Sequence, residues 1–370
     1  MSEVYNSIYF VTGGGTGGHI YPAMAVADAL TQEGAKVYYV GNKRNMEHEL
    51  ATKAGYKFLH VSITGMPRKL SPKILIWSIK LVKAILRSIR YIKKYNPRVV
   101  FATGGYVSAP MIFACIITKT PYVMHDCDAM PGLVTRKLAK RAKFVSVAFD
   151  SAKKYIPNRN VILTGNPIRE DFASMTKFVA KQNLNLDNRL TLCIMGGSQG
   201  AKSINTNTAE LLKELVQELK LQVIFQTGAK NYNNVIELLQ KIYPTFVQEK
   251  NLIIKPYFDD MISVLKASDI VISRAGSLSI SEICASDAAP ILIPYPFAAA
   301  NHQRINAKYL KELGACVCLD EKNLEPNKLR EVIVGLIENP IKMQYIKQNA
   351  HHLAKFDATK KIVECINSIK

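Results

Sequence analysis

Short apolar runs alternate with longer amphipathic stretches along almost the whole chain, the pattern expected when buried strands alternate with helices. In the first half the runs predict strands at Ile8–Thr12, Val37–Val40, Phe58–Ser62, Arg98–Ala102, Tyr122–Met124 and Phe144–Val147. In the second half they predict Leu190–Met195, Gln222–Gln226, Leu252–Lys255, Ile270–Ser273, Ile291–Tyr295 and Cys316–Leu319. Strands that are apolar throughout, rather than at alternate residues, are buried on both faces, which calls for a parallel sheet with helices above and below. The expected fold class is α/β, with two doubly wound Rossmann-like domains. Gly165-Asn166-Pro167 is turn chemistry and residues 177–188 are polar and aperiodic, so the boundary is expected there. The expected division is 1–165 and 166–344, with a C-terminal helix at about 345–370 packing back on the first domain and a hinge that leaves a cleft between the two.

A length of 370 residues fits two domains of ordinary size, and a hydrophobic content of 48% supplies their interiors, which excludes a disordered chain. Seven cysteines without a Cys-x-x-Cys pair make neither a metal site nor a disulfide framework the expectation, and a reducing compartment the natural one. No signal peptide is expected at the N-terminus, and the longest apolar stretch, Val107–Ile117, is too short to span a bilayer. Charge changes the picture more. The net is +20, yet residues 1–165 hold 24 Lys and Arg against 8 Asp and Glu, and no acidic residue lies between Glu49 and Asp126. An anionic partner is expected on the first half.

Two segments share one local plan, an apolar strand running into a glycine-rich turn and then a helix: Ile8–Thr12 before Gly13–Gly18, and Leu192–Met195 before Gly196–Ala201. Backbone N–H groups at such helix starts bind anions, so each is a candidate phosphate cradle. The first formally contains G-x-G-x-x-G, but Gly41-Asn42-Lys43-Arg44 offers no acidic residue for a ribose, which disfavours NAD and leaves NADP formally open. The second is not a Walker A loop, because Ala201 stands where a glycine must precede Lys202, though it can still hold a diphosphate with Ser198 as hydroxyl donor.

His19 lies where the first turn becomes a helix. The positive end of the helix dipole disfavours imidazolium and suits a general base, the alternative being a structural histidine that holds the loop. Gly104-Gly105 either meets a ligand or lets two backbone segments cross closely. Glu282, near the C-terminal end of a strand, suits a ribose diol, and Gln303 suits sugar hydroxyls.

Residues 73–94 read as a basic amphipathic helix, in which Lys73, Lys80, Lys83 and Arg87 accompany Ile74 and Trp77. That composition suits an anionic membrane surface, with the only tryptophan as interfacial anchor; the alternative is a core-facing helix with a solvated charged back.

The motifs Gly14–His19, Thr103–Tyr106, Gly165–Arg169, Gly196–Ala201, Arg274-x-Gly276 with Ser281-Glu282, and His302-Gln303 with Asn306-Ala307 occur together and in order. On these residues the chain resembles the MurG family of glycosyltransferases from about Ile8 to Leu319. The resemblance implies a GT-B fold and an inverting transfer of N-acetylglucosamine from UDP-GlcNAc to the C4 hydroxyl of MurNAc in undecaprenyl-pyrophosphoryl-MurNAc-pentapeptide, lipid I to lipid II. By the same resemblance Arg169, Ser198, the backbone near Phe258, Glu282 and Gln303 hold the donor, with the amide of Ser277 near its diphosphate. Thr16, Gly17, Gly18 and Asp128 complete the UDP-GlcNAc set, while Thr16, His19 and residues 125–128 face the acceptor.

His19 or Asp126 removes the hydroxyl proton, and neither a metal nor another cofactor is implied. The implied partners are UDP-GlcNAc, lipid I, an anionic membrane surface and other cell-wall synthesis and division proteins, with no nucleic acid. The implied location is peripheral, on the cytoplasmic face of the bacterial plasma membrane. Two departures stand out: His125-Asp126-Cys127-Asp128 replaces the usual His-Glu-x-Asn, and Arg274-Ala275-Gly276-Ser277 replaces Arg-Ser-Gly-Ala. A UDP-GlcNAc 2-epimerase would need cleft carboxylates that the acid-poor first half hardly supplies. A nucleic-acid-binding protein would leave the glycine turns unexplained.

Overall fold

The computed structural model describes residues 5–67, 72–169, 171–197 and 200–369. The chain divides into two compact units, Met1–Ile168 with Asp357–Lys370, and Arg169–Phe356. The first is built on seven parallel strands: β1 (Ile8–Thr12), β2 (Lys36–Gly41), β3 (Lys57–His60), β4 (Val99–Ala102), β5 (Tyr122–Asp126), β6 (Val145–Val147) and β7 (Val161–Leu163), in the order β3-β2-β1-β4-β5-β6-β7. The second has six: β8 (Thr191–Met195), β9 (Gln222–Gln226), β10 (Leu252–Lys255), β11 (Ile270–Ser273), β12 (Ala289–Leu292) and β13 (Val317–Cys318), in the order β10-β9-β8-β11-β12-β13. Both are doubly wound. The strand order reverses between β1 and β4 in one and between β8 and β11 in the other, the places where open sheets of this kind bind ligands.

Successive residues of a strand face opposite sides, so a strand buried at every position needs cover on both. In β4, Val100 and Ala102 join Ala84 and Ile92 of helix Lys73–Tyr95 and Met111 and Ile112 of helix Gly105–Thr118. Val99 and Phe101 point the other way, to Val26 and Leu30 of helix Gly17–Gln32 and to Ile362 and Ile366 of helix Ala358–Asn367. Arg98, one residue before β4, donates to the carbonyls of Asn367 at 3.3 Å and Ile369 at 3.0 Å, a cation on the negative end of that last helix.

The structure departs from the expected elements at three places. The strand Val161–Leu163 was not expected, because three half-buried residues at the rim of the sheet make too short an apolar run to read. β12 begins at Ala289 and ends at Leu292, ahead of the expected Ile291–Tyr295. Pro290 is tolerated there: Ala289 and Ile293 donate toward β11, and the proline nitrogen faces the other edge before β13 starts its pairing at Ile291 with Val317. The return to the first unit is shorter than 345–370. Helix Pro340–Leu353 buries Met343 and Ile346 in the core of the second unit, and the chain rejoins the first only from Asp357.

No helix among the described residues is long and apolar enough to cross a membrane.

Candidate functional site

In the first unit three loops leave the C-terminal ends of neighbouring strands: residues 13–19 after β1, 103–106 after β4 and 126–132 after β5. Gly13 could carry no side chain, since a Cβ there would lie 1.9 Å from Thr103 Oγ1, whose hydroxyl donates to the His19 carbonyl at 2.6 Å. Gly15 has φ +87°, and its amide donates to Glu47 Oε2 at 3.2 Å. Thr16 caps helix Gly17–Gln32 through its backbone alone, its carbonyl accepting from the amide of His19, so Gly17 and Gly18 form the helix start.

The His19 ring lies against the second loop. A Cβ on Gly105 would sit 3.1 Å from His19 Cδ2, and one on Gly104 3.7 Å from Cε1. Both glycines have positive φ, +82° and +71°, and the close crossing is of backbone on backbone, since a Cβ on Gly105 would lie 2.8 Å from the Gly14 carbonyl oxygen, with the His19 ring packed beside it. From the third loop, Cys127 Sγ is 3.9 Å from His19 Nδ1.

His125 and Asp126 end β5, and both are buried. His125 Nδ1 meets Ser146 Oγ at 2.9 Å and Nε2 meets Asn166 Oδ1 at 3.0 Å, which gives Asn166 of the Gly165-Asn166-Pro167 turn a structural task. Burial holds the His125 imidazole down at about 4, so it is neutral. Asp126 accepts the amides of Asp128 at 3.3 Å and Gly132 at 3.0 Å, one on each carboxyl oxygen. Burial, then the Asp128 carboxylate, push its carboxyl up to about 7 against those hydrogen bonds.

In the second unit the corresponding turn follows β8. A Cβ on Gly200, at φ +74°, would lie 2.0 Å from the Thr227 carbonyl oxygen, and the Asn205 amide donates to the same carbonyl at 2.8 Å. Ser198 lies outside the described residues. After the neighbouring β11, Gly276 opens helix Ser277–Ala285, placing buried Ser277 at its start and Glu282 along it. Arg169 donates to Glu282 Oε1 at 3.1 Å and stacks over Phe172 with its guanidinium 5.6 Å from the ring centre. Burial pushes the Glu282 carboxyl up, and the Arg169 charge opposes it.

Gln303 Oε1 accepts the amide of Tyr295 at 2.9 Å, fastening residues 294–296 to helix His302–Glu312. The Phe258 amide donates to Gln226 Oε1 at 3.0 Å, which leaves the carbonyl as the backbone group with which that residue can meet a base. The buried Arg274 is bidentate on Glu321, at 2.8 and 2.7 Å, and stacks on Tyr295. It is a brace for the loop.

Sequence reasoning missed Glu47, Gln226 and Glu321, each a polar residue with a partner 32 or more positions away. On helix Lys73–Tyr95, Ile74 and Trp77 are half-buried, and the Trp77 indole donates to the Thr64 carbonyl at 2.8 Å. The exposed apolar stripe is instead Leu75, Ile79, Val82 and Leu86, at helical spacing, beside exposed Lys80, Lys83 and Arg87. Among the described residues no group of three or more His, Cys, Asp or Glu is placed to hold a metal ion.

Two doubly wound parallel sheets, each with a glycine turn and a helix start at its switch point, make the GT-B fold. The chain belongs to glycosyltransferase family 28, whose N-terminal domain matches residues 9–147 and whose C-terminal domain matches residues 191–363. It is 36% identical over 365 residues to the UDP-N-acetylglucosamine--N-acetylmuramyl-(pentapeptide) pyrophosphoryl-undecaprenol N-acetylglucosamine transferase of Thermoanaerobacter sp. (strain X514), covering 98% of this chain and 99% of that protein. Among solved structures, Acinetobacter baumannii MurG aligns with a TM-score of 0.78 at 26% identity, over 98% of this chain and 99% of that one. A UDP-GlcNAc 2-epimerase from Neisseria meningitidis, bound to UDP-GlcNAc, aligns with a TM-score of 0.67 at 16% identity over 97% and 99% of the two chains, a likeness of fold alone.

Proposed function

We propose that this hexosyltransferase moves N-acetylglucosamine from UDP-GlcNAc to the C4 hydroxyl of MurNAc in undecaprenyl-pyrophosphoryl-MurNAc-pentapeptide, making lipid II from lipid I in peptidoglycan synthesis. The observation that carries the reading is kinship along 98% of the chain to a transferase of that name. The acceptor lies on the first unit, residues 1–165 of the expected division. The donor lies mainly on the second, at Arg169, Ser198, the Phe258 backbone, Ser277, Glu282 and Gln303, with Thr16, Gly17, Gly18 and Asp128 completing its site. The Arg169–Glu282 pair supports that placement, because it sets a phosphate-binding fork beside a diol-binding carboxylate.

The reaction is a direct displacement at the anomeric carbon with inversion. The acceptor hydroxyl attacks one face as UDP leaves from the other, its charge met by helix-start amides and Arg169. His19 takes the hydroxyl proton, with Asp126 as the alternative base; a carboxyl held near 7 is matched to that task. Lys73, Lys80, Lys83 and Arg87, with the exposed stripe of the same helix, meet the anionic cytoplasmic face of the bacterial membrane. Ile74 and Trp77 support that helix from beneath.

Incubation with radiolabelled UDP-GlcNAc and a lipid I analogue tests the transfer, and labelled UDP-GlcNAc that yields no lipid-linked product would sink it. Flotation with anionic vesicles tests the membrane face, and binding that survives charge reversal at Lys80, Lys83 and Arg87 would overturn it.

A further inference from the structure

Glu47 has no role in the reaction described so far, yet it is 0% exposed in the middle of the first unit's loops. It sits in the first turn of helix Met46–Lys53, and its carboxylate accepts three hydrogen bonds. Oε2 takes the Gly15 amide at 3.2 Å; Oε1 takes the Asn42 amide at 3.2 Å and the Asn45 side-chain amide at 3.1 Å. The same Asn45 nitrogen is 3.1 Å from the Tyr106 hydroxyl oxygen, and the Tyr106 ring in turn covers Gly15, where a Cβ would lie 3.1 Å from Cε1. Gly14 has no room for a side chain because the carboxyl carbon of Glu47 would be 2.6 Å from it. Tyr39, whose hydroxyl donates to the Gly13 carbonyl at 2.7 Å, has its phenol pushed up by burial and then by the Glu47 charge, so it stays a donor.

One carboxylate thus joins the loops after β1 and β2, and Asn45 ties them to Tyr106 after β4. It does so at the strand–glycine–helix turn where a doubly wound domain ordinarily receives a phosphate. Here the chain supplies the anion itself.

We propose that Glu47 is a positioning residue for the transfer reaction: its carboxylate replaces a bound phosphate at the first glycine turn and sets Gly15, hence the helix start and the His19 ring, for the acceptor. The proposal rests on the transferase reading above. The charge is essential to the geometry. Glutamine has the same shape, but whichever way its amide is turned, one NH2 faces an N–H that needs an acceptor.

The experiment compares the full-length wild type with Glu47→Gln. It reads steady-state kinetics with a lipid I analogue and UDP-GlcNAc varied separately, UDP affinity by calorimetry, and hydrogen exchange of the Gly15 amide. Expected for Glu47→Gln is a fall of about 10–100-fold in kcat/KM for the acceptor, as for other small misplacements of a reacting group, with UDP affinity, which rests mainly on the second unit, changed far less and Gly15 protection lost. Asn45→Ala, which removes one of the donors and the tie to Tyr106, is expected to give a smaller fall of the same kind should Glu47→Gln not fold. Unchanged acceptor kinetics and unchanged Gly15 protection would overturn the proposal, as would an equal loss of UDP affinity. A wild type that transfers no sugar, with Gly15 protection lost in Glu47→Gln, would sink the functional reading and support the clamp.

Discussion

The two glycine turns look alike in sequence and are held in different ways. The turn after β1 is braced by a buried carboxylate on the Gly15 amide, whereas the turn after β8 packs on the Thr227 carbonyl, which the neutral Asn205 amide also holds. In the second unit a carboxylate also reaches a helix start, where Glu321 accepts from the Ser203 hydroxyl in the first turn of helix Lys202–Lys213 and is shared with the Arg274 guanidinium. A strand–glycine–helix motif therefore does not by itself specify a nucleotide site. What separates the two among the described residues is how the carboxylate is held, Glu47 by the amides of Gly15, Asn42 and Asn45 and Glu321 by the Arg274 guanidinium as well as the Ser203 hydroxyl.

The sharpest division of labour follows from removing one functional side chain from each unit. His19→Ala is expected to lower turnover by about 10²–10⁴-fold, the usual weight of a general base, with UDP affinity kept; unchanged turnover would remove His19 from that role. Acid titration separates the units next. His125, at about 4 folded against 6.5 unfolded, gives the first unit stability that is full above 6.5 and lost as pH falls through 4. Asp126, at about 7 folded against 3.8 unfolded, gives stability that is full below 3.8 and lost as pH rises through 7.

Each amounts to about 3–4 kcal/mol, of opposite sign in the shared window. The expected outcome is a nearly flat first-unit stability between pH 4 and 6.5 in the wild type and an acid-labile one in Asp126→Asn. Melting followed at several pH values decides it, and parallel slopes for the two proteins would refute it.

Backbone strain gives the third contrast. Gly200→Ala must displace a backbone carbonyl as well as hold φ +74°, and is expected to cost about 3 kcal/mol or more. Gly55→Ala, at φ +84° with nothing within 4 Å, costs about 1 kcal/mol. Denaturant unfolding that ranks the two the other way would break the packing account of the second turn. The smallest expected effect is that of Glu282→Ala, a rise of about 10-fold in the UDP-GlcNAc KM, the weight of one lost hydrogen bond to a charged group, with turnover kept. A variant that loses turnover instead would move Glu282 out of the binding role.

Much of this was legible without coordinates. Most of the expected strands lie within a residue or two of those observed, because a strand buried on both faces writes itself as a continuous apolar run. β7 and the true bounds of β12 were not legible, the one being too short to show a run and the other crossing a proline whose nitrogen happens to face a free edge. Trp77 reads as an anchor by composition, and its indole N–H is bonded to the Thr64 carbonyl instead. His19 was singled out by its place at a helix start, but that Gly105 lies against both its ring and the Gly14 carbonyl is a feature of the tertiary structure.

The amino-acid sequence by itself determined the alternation of strand and helix, the two parallel sheets, the glycine turns and the acid-poor first half, all of which are local patterns. Only the tertiary structure decided which anion meets which turn. Glu47 and Gly15, Arg274 and Glu321, and Phe258 and Gln226 are joined across 32 or more residues. Hydrogen bonds and ion pairs of that range carry no periodicity, and they exist only once the sheet has brought separate strand ends together.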